Sequence, residues 1–300
     1  MKTDYHIPVL LYESVSGLHI RPDGLYVDAT FGGGGHSAHI LEKLSTGRLF
    51  SFDKDADAAS GFPEHQAFQF IASDFRYLKN QLRFQGVKLV DGILADLGVS
   101  SHQFDQAERG FSIRFDAELD MRMDRSQSLS AKTILNEYEE DRLADVLHNY
   151  GEVTRSRAMA KAIVAQRAIA PILTVQDLKK VLEPFTPKQL ETKFLAKVFQ
   201  ALRIETNDEM GALREMLQQS AEVMKTGGRL VIISYHSLED RMVKHFLKEG
   251  KVEGEADRDF YGNRIIPFKV ITRKPIVPAD LEIARNPRSR SAKLRIAERI

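Results

Sequence analysis

The chain has 300 residues, of which 43% are hydrophobic and 28% charged, with a formal net charge of +1. Such a length and composition can bury a sizeable core, and one large core carrying an insertion is the expected plan. No apolar run approaches the roughly 20 residues of a membrane span, the polar start Met1–His6 does not read as a secretory signal, and the absence of cysteine excludes disulfides and thiolate metal sites. A cytoplasmic protein is the reading these features support. The near-neutral charge decides nothing about nucleic acid, but its distribution is uneven. Between Arg273 and Arg299 lie eight Lys or Arg against only Asp280, Glu282 and Glu298. A basic end on a neutral protein is either a phosphate-contacting face or a solvated tail.

The first third alternates strands and helices. Leu25–Val27 is an apolar strand ending on Asp28, followed by the glycine run Gly32–Gly35 and a helix over His36–Leu44. Arg48–Phe52 ends on Asp53, Ala67–Ile71 forms a third strand, and Val90–Ala95 a fourth ending on Asp96. This order implies βαβ units and a parallel sheet, whose ligands sit beyond the carboxyl ends of the strands. Asp28, Asp53 and Asp96 are therefore expected to face one crevice. The next buried strand, Arg229–Ile233, follows Thr226-Gly227-Gly228, too far on for one crossover helix. Between them, helical patterns run over Ala131–Asn149, Arg155–Ala168, Val175–Glu183 and Lys188–Leu202. Residues 106–203 thus read as a helical insertion, with a helix over Asp208–Lys225 returning to the sheet. A helix over Leu238–Lys248 and two edge strands, Pro267–Arg273 and Ala292–Glu298, complete the chain.

Strand, acid, glycine run and helix form the layout of a nucleotide-cofactor loop, in which glycines allow a tight turn and close backbone approach. Gly33-Gly34-Gly35-His36-Ser37-Ala38 also fits the dinucleotide fingerprint, so a nicotinamide cofactor stays open on the loop alone. Asp28 at the loop mouth tilts the choice to S-adenosylmethionine, because a carboxylate repels a pyrophosphate and suits a sulfonium and an ammonium. Asp53 is placed for ribose hydroxyls, and Phe75 after the third strand either packs on the adenine face or is an ordinary core residue.

At the reacting end, Asp96 opens the segment Asp96-Leu97-Gly98-Val99-Ser100-Ser101-His102-Gln103. An exocyclic amine of a base is a poor nucleophile, and an acceptor for its hydrogen bond would localise and orient the lone pair. Asp96 is the candidate for that acceptor or for a cofactor contact. The Pro-Pro-aromatic that usually follows such an acid is missing, so Phe104, Phe111 and Tyr235 are the candidate stacking rings. His236, after the fifth strand, is a second catalytic candidate as proton acceptor or phosphate contact, the alternative being a structural histidine; Ser237 beside it reads as a helix N-cap. The histidines show no metal-ligand spacing, and no metal is expected.

Several long segments, in order, are similar to one family: Asp28–Ser37, Asp91–Ser101, Glu108–Ser112, Leu119–Asp124, Phe199–Ile204, Ile233–Arg241 and Asn286–Arg295. They resemble the bacterial 16S rRNA (cytosine-1402-N4) methyltransferases. The resemblance implies an α/β class I S-adenosylmethionine-dependent methyltransferase fold, a doubly wound and mostly parallel seven-stranded sheet over 1–105 and 204–300. The helical domain over 106–203 would serve substrate recognition. It further implies methyl transfer to a cytidine of 16S rRNA in the small ribosomal subunit, with an amino-methyltransferase acting on another nucleic acid or a small molecule as the alternative. Implied cofactor contacts fall on Gly34, Gly35, His36, Asp53, Phe75, Asp96 and Gln103, joined by Asp28 from the loop reading. Arg288, Arg290, Lys293 and Arg295 are the expected RNA contacts. The chain departs from the family pattern at His102, where proline is usual, at Phe115–Glu118, and at Tyr235, where phenylalanine is common. The sequence leaves the oligomeric state open, a homodimer being one option.

Overall fold

The computed structural model describes residues 8–55, 58–60, 62–98 and 107–300. The chain divides into two compact units, residues 1–98 with 210–300, and residues 99–209. In the first unit, β1 (Leu25–Asp28), β2 (Arg48–Asp53), β3 (Phe68–Ala72), β4 (Val90–Asp96), β5 (Met224–Ser234), β6 (Phe268–Val270) and β7 (Lys293–Arg299) form one sheet. Their order is β3-β2-β1-β4-β5-β7-β6. Pairing is parallel from β3 through β5, and β7 is antiparallel to both β5 and β6. This is the mostly parallel, seven-stranded α/β sheet expected from the sequence.

Two strand expectations are corrected. The last two strands are not both edges: β7 lies inside the sheet, its Leu294–Ala297 run buried, and only β6 is an edge. β5 begins at Met224 rather than Arg229. Its register against β4 jumps from Val90↔Met224 to Gly92↔Arg229, and the extra residues bulge where Gly227 takes φ +82°.

Around the early strands stand α1 (Leu11–Gly17), α2 (Gly35–Leu41) and α3 (Leu78–Phe84). β1 and β4 bury nearly every side chain, as strands covered on both faces must. Their carboxyl ends carry Asp28 and Asp96 side by side with β2 and its Asp53.

The second unit is helical: α4 (Ala131–Glu137), α5 (Glu140–Asn149), α6 (Ser156–Arg167), α7 (Val175–Leu182) and α8 (Glu191–Asn207). It has its own core, including Leu135, Leu147, Ile163, Leu178 and Leu202. The single helix expected over Ala131–Asn149 is two, because Tyr138 and Glu139 are extended. The Tyr138 hydroxyl donates to Glu205 at 2.8 Å, and the Arg142 guanidinium lies 3.8 Å over its ring. Burial and the Glu205 carboxylate push that phenol up to about 12. α8 runs past the expected boundary at 203, since Asn207 is tied into the unit: its amide donates to the Met121 carbonyl at 2.8 Å and accepts from Met123 N–H at 2.7 Å. Arg109 donates to the carbonyls of Arg122 and Met123 at 2.5 and 3.1 Å. The segments Glu108–Ser112 and Leu119–Asp124 therefore build the scaffold of this unit.

The chain returns through α9 (Glu209–Val223), then β5, α10 (Ser237–Glu249), β6, α11 (Asp280–Arg285) and β7. Among the described residues, no helix is long and apolar enough to cross a membrane.

Candidate active site

The cofactor loop is shaped from below by Asp28. This carboxylate is fully buried: one oxygen accepts from Thr30 N–H at 3.1 Å and the other from the Ser37 hydroxyl at 2.7 Å, and Ser37 also meets Ser51 at 2.8 Å. Burial pushes the Asp28 carboxyl above its ordinary value, and the nearby His36 ring opposes that push. The expectation that Asp28 faces an open crevice is thus corrected. It acts beneath the loop, pinning β1 to the first turn of α2, because none of its surface is exposed. His36 is buried too, its Nε2 lying 3.2 Å from the Val9 carbonyl. Burial drives its pKa down, and Asp28 opposes the fall.

The glycines separate into distinct roles. Gly34 takes φ +74° as the cap of α2, and a side chain there would collide with Phe31 and Phe62. At Gly35 a side chain would overlap Pro8. Both positions are small because protein packs on them. Gly33 differs: it is exposed and a side chain there would meet nothing within 4 Å, so the loop offers its open face at this residue.

Asp53 braces the loop from the neighbouring strand. Its Oδ2 accepts from Gly32 N–H and its Oδ1 from Asp55 N–H, each at 2.9 Å. Burial raises its carboxyl despite these bonds. Each oxygen keeps a further lone pair, which suits a ribose diol. Phe75 opens a short 3₁₀ turn after β3, half-buried against the apolar core, with Asp74 accepting from Arg76 N–H at 2.9 Å to fix the turn.

Asp96 ends β4 half-exposed, and its backbone N–H donates to Thr30 Oγ1 at 2.6 Å. The loop and the end of β4 are thereby one assembly, and Asp28 and Asp96 feel each other's charge. Just after β5, burial and then the nearby Asp96 carboxylate hold the Tyr235 phenol well above its ordinary pKa. The Tyr235 ring packs against Gly98, where an added Cβ would come within 2.8 Å of its Cε2, so it is not a free stacking ring. Nor is Phe111, which is buried with the Arg109 guanidinium 5.6 Å from its ring centroid. Gln103, His102 and Phe104 lie outside the described residues.

His236, not Ser237, is the N-cap of α10. Its Nδ1 accepts from Glu239 N–H at 3.4 Å, and Glu239 Oε2 accepts from the N–H groups of His236 and Tyr235 at 3.2 and 2.8 Å. The ring is turned onto Glu239, with Nε2 3.1 Å from Oε1. This is a capping box with histidine in the place of serine.

The basic C-terminal segment also divides. Arg288 and Arg290 are exposed on the 3₁₀ turn Pro287–Ser291. Arg295 is buried, and its Nε donates to Asp240 Oδ1 at 2.7 Å, while Lys293 reaches Oδ2 at 3.1 Å. The RNA-facing role expected of Arg295 is corrected: its charge is consumed by α10.

Sequence reasoning missed Thr30, Ser37 and the packing of the Tyr235 ring on Gly98 as parts of the assembly. Ser37 carried a signal, since a hydroxyl one turn into a helix after a glycine run sits above the preceding strand end. Thr30 and Tyr235 act across strands, where no local spacing announces them.

Residues 3–300 match the MraW methylase family. The chain belongs to that family. Among its members, the Ribosomal RNA small subunit methyltransferase H of Phocaeicola vulgatus is 56% identical, covering 99% of this chain and 98% of its own. Its namesake from Flavobacterium johnsoniae is 56% identical over the same shares. Among solved structures, an rRNA methylase from Streptococcus thermophilus aligns over 98% of this chain and 99% of its own at a TM-score of 0.42 and 12% identity, a likeness too slight to add to the family assignment.

Proposed function

We propose that this MraW-family protein transfers a methyl group from S-adenosylmethionine to N4 of cytidine 1402 in 16S rRNA of the small ribosomal subunit. The observation that carries the chemistry is the joined assembly of the glycine loop, Asp53 and Asp96 at the carboxyl ends of adjacent parallel strands. The substrate follows from the relatives, named rRNA small-subunit methyltransferases over nearly their whole length.

The residues present fit the cofactor. The loop is open at Gly33, Asp53 retains acceptor capacity for ribose hydroxyls, and a half-exposed carboxylate, Asp96, suits a cationic group. We assign holding of the cofactor to the loop backbone around Gly33–Gly35, to Asp53, to Phe75 and to Gln103, with Asp28 and His36 supporting the loop from within. When bound, S-adenosylmethionine supplies an electrophilic methyl group.

The chain's own work is to orient the amine. Asp96 accepts a hydrogen bond from the exocyclic N–H, which turns the nitrogen lone pair out of the ring's conjugation and takes up the charge that develops there. The Asp96 backbone N–H bond to Thr30 fixes the strand end from which this carboxylate projects. His236 contributes by starting α10, whose Glu239 accepts from the Tyr235 backbone N–H. We assign RNA recognition to the helical unit of residues 99–209 and to the exposed Arg288 and Arg290.

Labelled methyl transfer to small subunits, naked 16S rRNA and duplex DNA, run side by side, tests this reading. Label on small subunits that is lost in Asp96→Ala, with RNA binding retained, is the expected result. Label on DNA, or equal turnover by Asp96→Ala, would remove the assignment.

A further inference from the structure

Charge is divided unevenly within the helical unit. Residues 107–150 carry six Lys or Arg against ten Asp or Glu, whereas residues 151–197 carry nine against four. The acids of the first stretch include Glu139, Glu140, Asp141 and Asp145, all exposed around α5. Cations of that stretch are paired: Arg122 with Asp120, Lys132 with Glu118 and Arg142 with Glu205. In the second stretch Arg167 donates to the Leu135 carbonyl at 3.0 Å and Lys179 to the Ile113 carbonyl at 2.6 Å, so these two serve the fold. Arg155, Arg157, Lys161, Lys188 and Lys193 differ. They are exposed, and among the described residues none of them is in an ion pair.

Packing gathers these cations. The turn from α5 into α6 lies on α8: a Cβ at Gly151 would come within 2.9 Å of the Lys197 carbonyl oxygen, Gln200 donates to the Tyr150 carbonyl at 2.9 Å, and Lys197 Nζ to the Glu152 carbonyl at 3.4 Å. Arg155, at the end of that turn, holds its guanidinium 5.1 Å over the Phe185 ring. Phe185 closes the 3₁₀ turn Glu183–Phe185, from which the chain runs through Lys188 into α8. Lys193 and Lys197, four residues apart, share one side of α8, as Arg157 and Lys161 share one side of α6. The start of α6 and the first turns of α8 thus meet at Arg155. Like charges brought together repel one another, so folding alone gives no reason to gather them. A guanidinium laid on an aromatic face keeps its N–H edge for a phosphate, which it grips in a fork. We infer that this face of the helical unit docks the phosphate backbone of the RNA substrate. The inference rests on the reading of the protein as an rRNA methyltransferase and names the surface that the reading requires. The exposed acids around α5 repel the same backbone and so orient the unit on it.

The test measures binding of the full chain to small subunits and to naked 16S rRNA at several salt concentrations, with melting temperature and calorimetric S-adenosylmethionine affinity alongside. Two double variants probe the face: Arg157→Gln with Lys161→Gln, and Lys188→Gln with Lys193→Gln. A third, Lys43→Gln with Lys88→Gln, removes the same charge from exposed positions of the first unit. Each probe pair is expected to lower the salt slope of binding by about 1.4 to 1.8, the share of two phosphates. At about 0.1 M salt that weakens binding roughly 25- to 60-fold more than at 1 M. Melting, cofactor affinity and kcat at saturating small subunits are expected to stay with the parent, the loss falling on KM. An unchanged slope in either probe pair overturns the face, as does an equal fall in the Lys43 and Lys88 pair. Weaker binding to small subunits with unchanged binding to naked rRNA overturns RNA as the occupant in favour of a ribosomal protein. A parent that methylates duplex DNA and not small subunits overturns the underlying reading too, and that failure shows before any variant is compared.

Discussion

Asp240→Ala separates a structural from an RNA-binding role for the basic C-terminal strand. In the parent, the Arg295 side chain is 8% exposed and the Asp240 side chain 14%, while Lys293 is 41% exposed. Attraction between charge centres about 4 Å apart at an effective dielectric near 20 is about 4 kcal/mol, much of it offset by desolvation. Lys293, being largely solvated, contributes little, at most about 1 kcal/mol. Removing Asp240 leaves the Arg295 guanidinium buried without its charge partner, which costs about 3 kcal/mol. For a domain of this size that lowers the melting temperature by roughly 6–12 °C. The pH dependence has a definite sign. Burial alone would raise the Asp240 carboxyl, but Arg295 and Lys293 outweigh it and hold the folded-state pKa below the ordinary value. Its stabilisation is therefore complete above the unfolded carboxylate value, near 3.9, and is lost as pH falls through the lower folded value. Calorimetric melting of parent and Asp240→Ala should show the full gap at pH 7 and a shrinking gap in acid. A variant that melts with the parent at pH 7, or Arg295→Ala that melts normally yet loses rRNA affinity, would refute the assignment.

Arg288→Ala and Arg290→Ala should leave melting within about 0.5 kcal/mol of the parent, as exposed substitutions do. For every phosphate that the removed guanidinium neutralised, the salt slope of rRNA binding should fall by about 0.7 to 0.9, read from binding titrations at several salt concentrations. Gly35→Ala should weaken S-adenosylmethionine binding by calorimetric titration, since the new methyl displaces Pro8 or the loop; unchanged affinity would show that the loop absorbs it freely. His236→Ala removes a helix cap and should cost about 1 kcal/mol of stability. A kcat loss of several hundredfold with unchanged melting would instead make the ring catalytic.

The parallel half of the sheet was legible because each of its strands is a short apolar run, and the acids at Asp28, Asp53 and Asp96 mark their ends. What lies across the sheet was not. Nothing local tells that Lys293–Arg299 inserts antiparallel between β5 and β6, for strand order is a property of pairing. The Arg295–Asp240 pair joins residues 55 positions apart, so a basic cluster read as a surface was partly interior. Asp28 read as a ligand-facing acid because a strand end normally opens on the crevice, yet Ser37 and Thr30 close over it. The break at Tyr138 lacks glycine or proline, and rests instead on a contact with Glu205 in a distant helix. Tyr235 read as a stacking ring since Gly98, on which its ring packs, follows another strand.

The most direct measurement is mass mapping of 16S rRNA from unmethylated small subunits after incubation with the pure protein and S-adenosylmethionine. One added methyl is predicted, on N4 of cytidine 1402, absent when Asp96→Ala replaces the parent. A methyl on another nucleotide, on a ring carbon or ribose, or none at all under conditions where the cofactor binds, would contradict it.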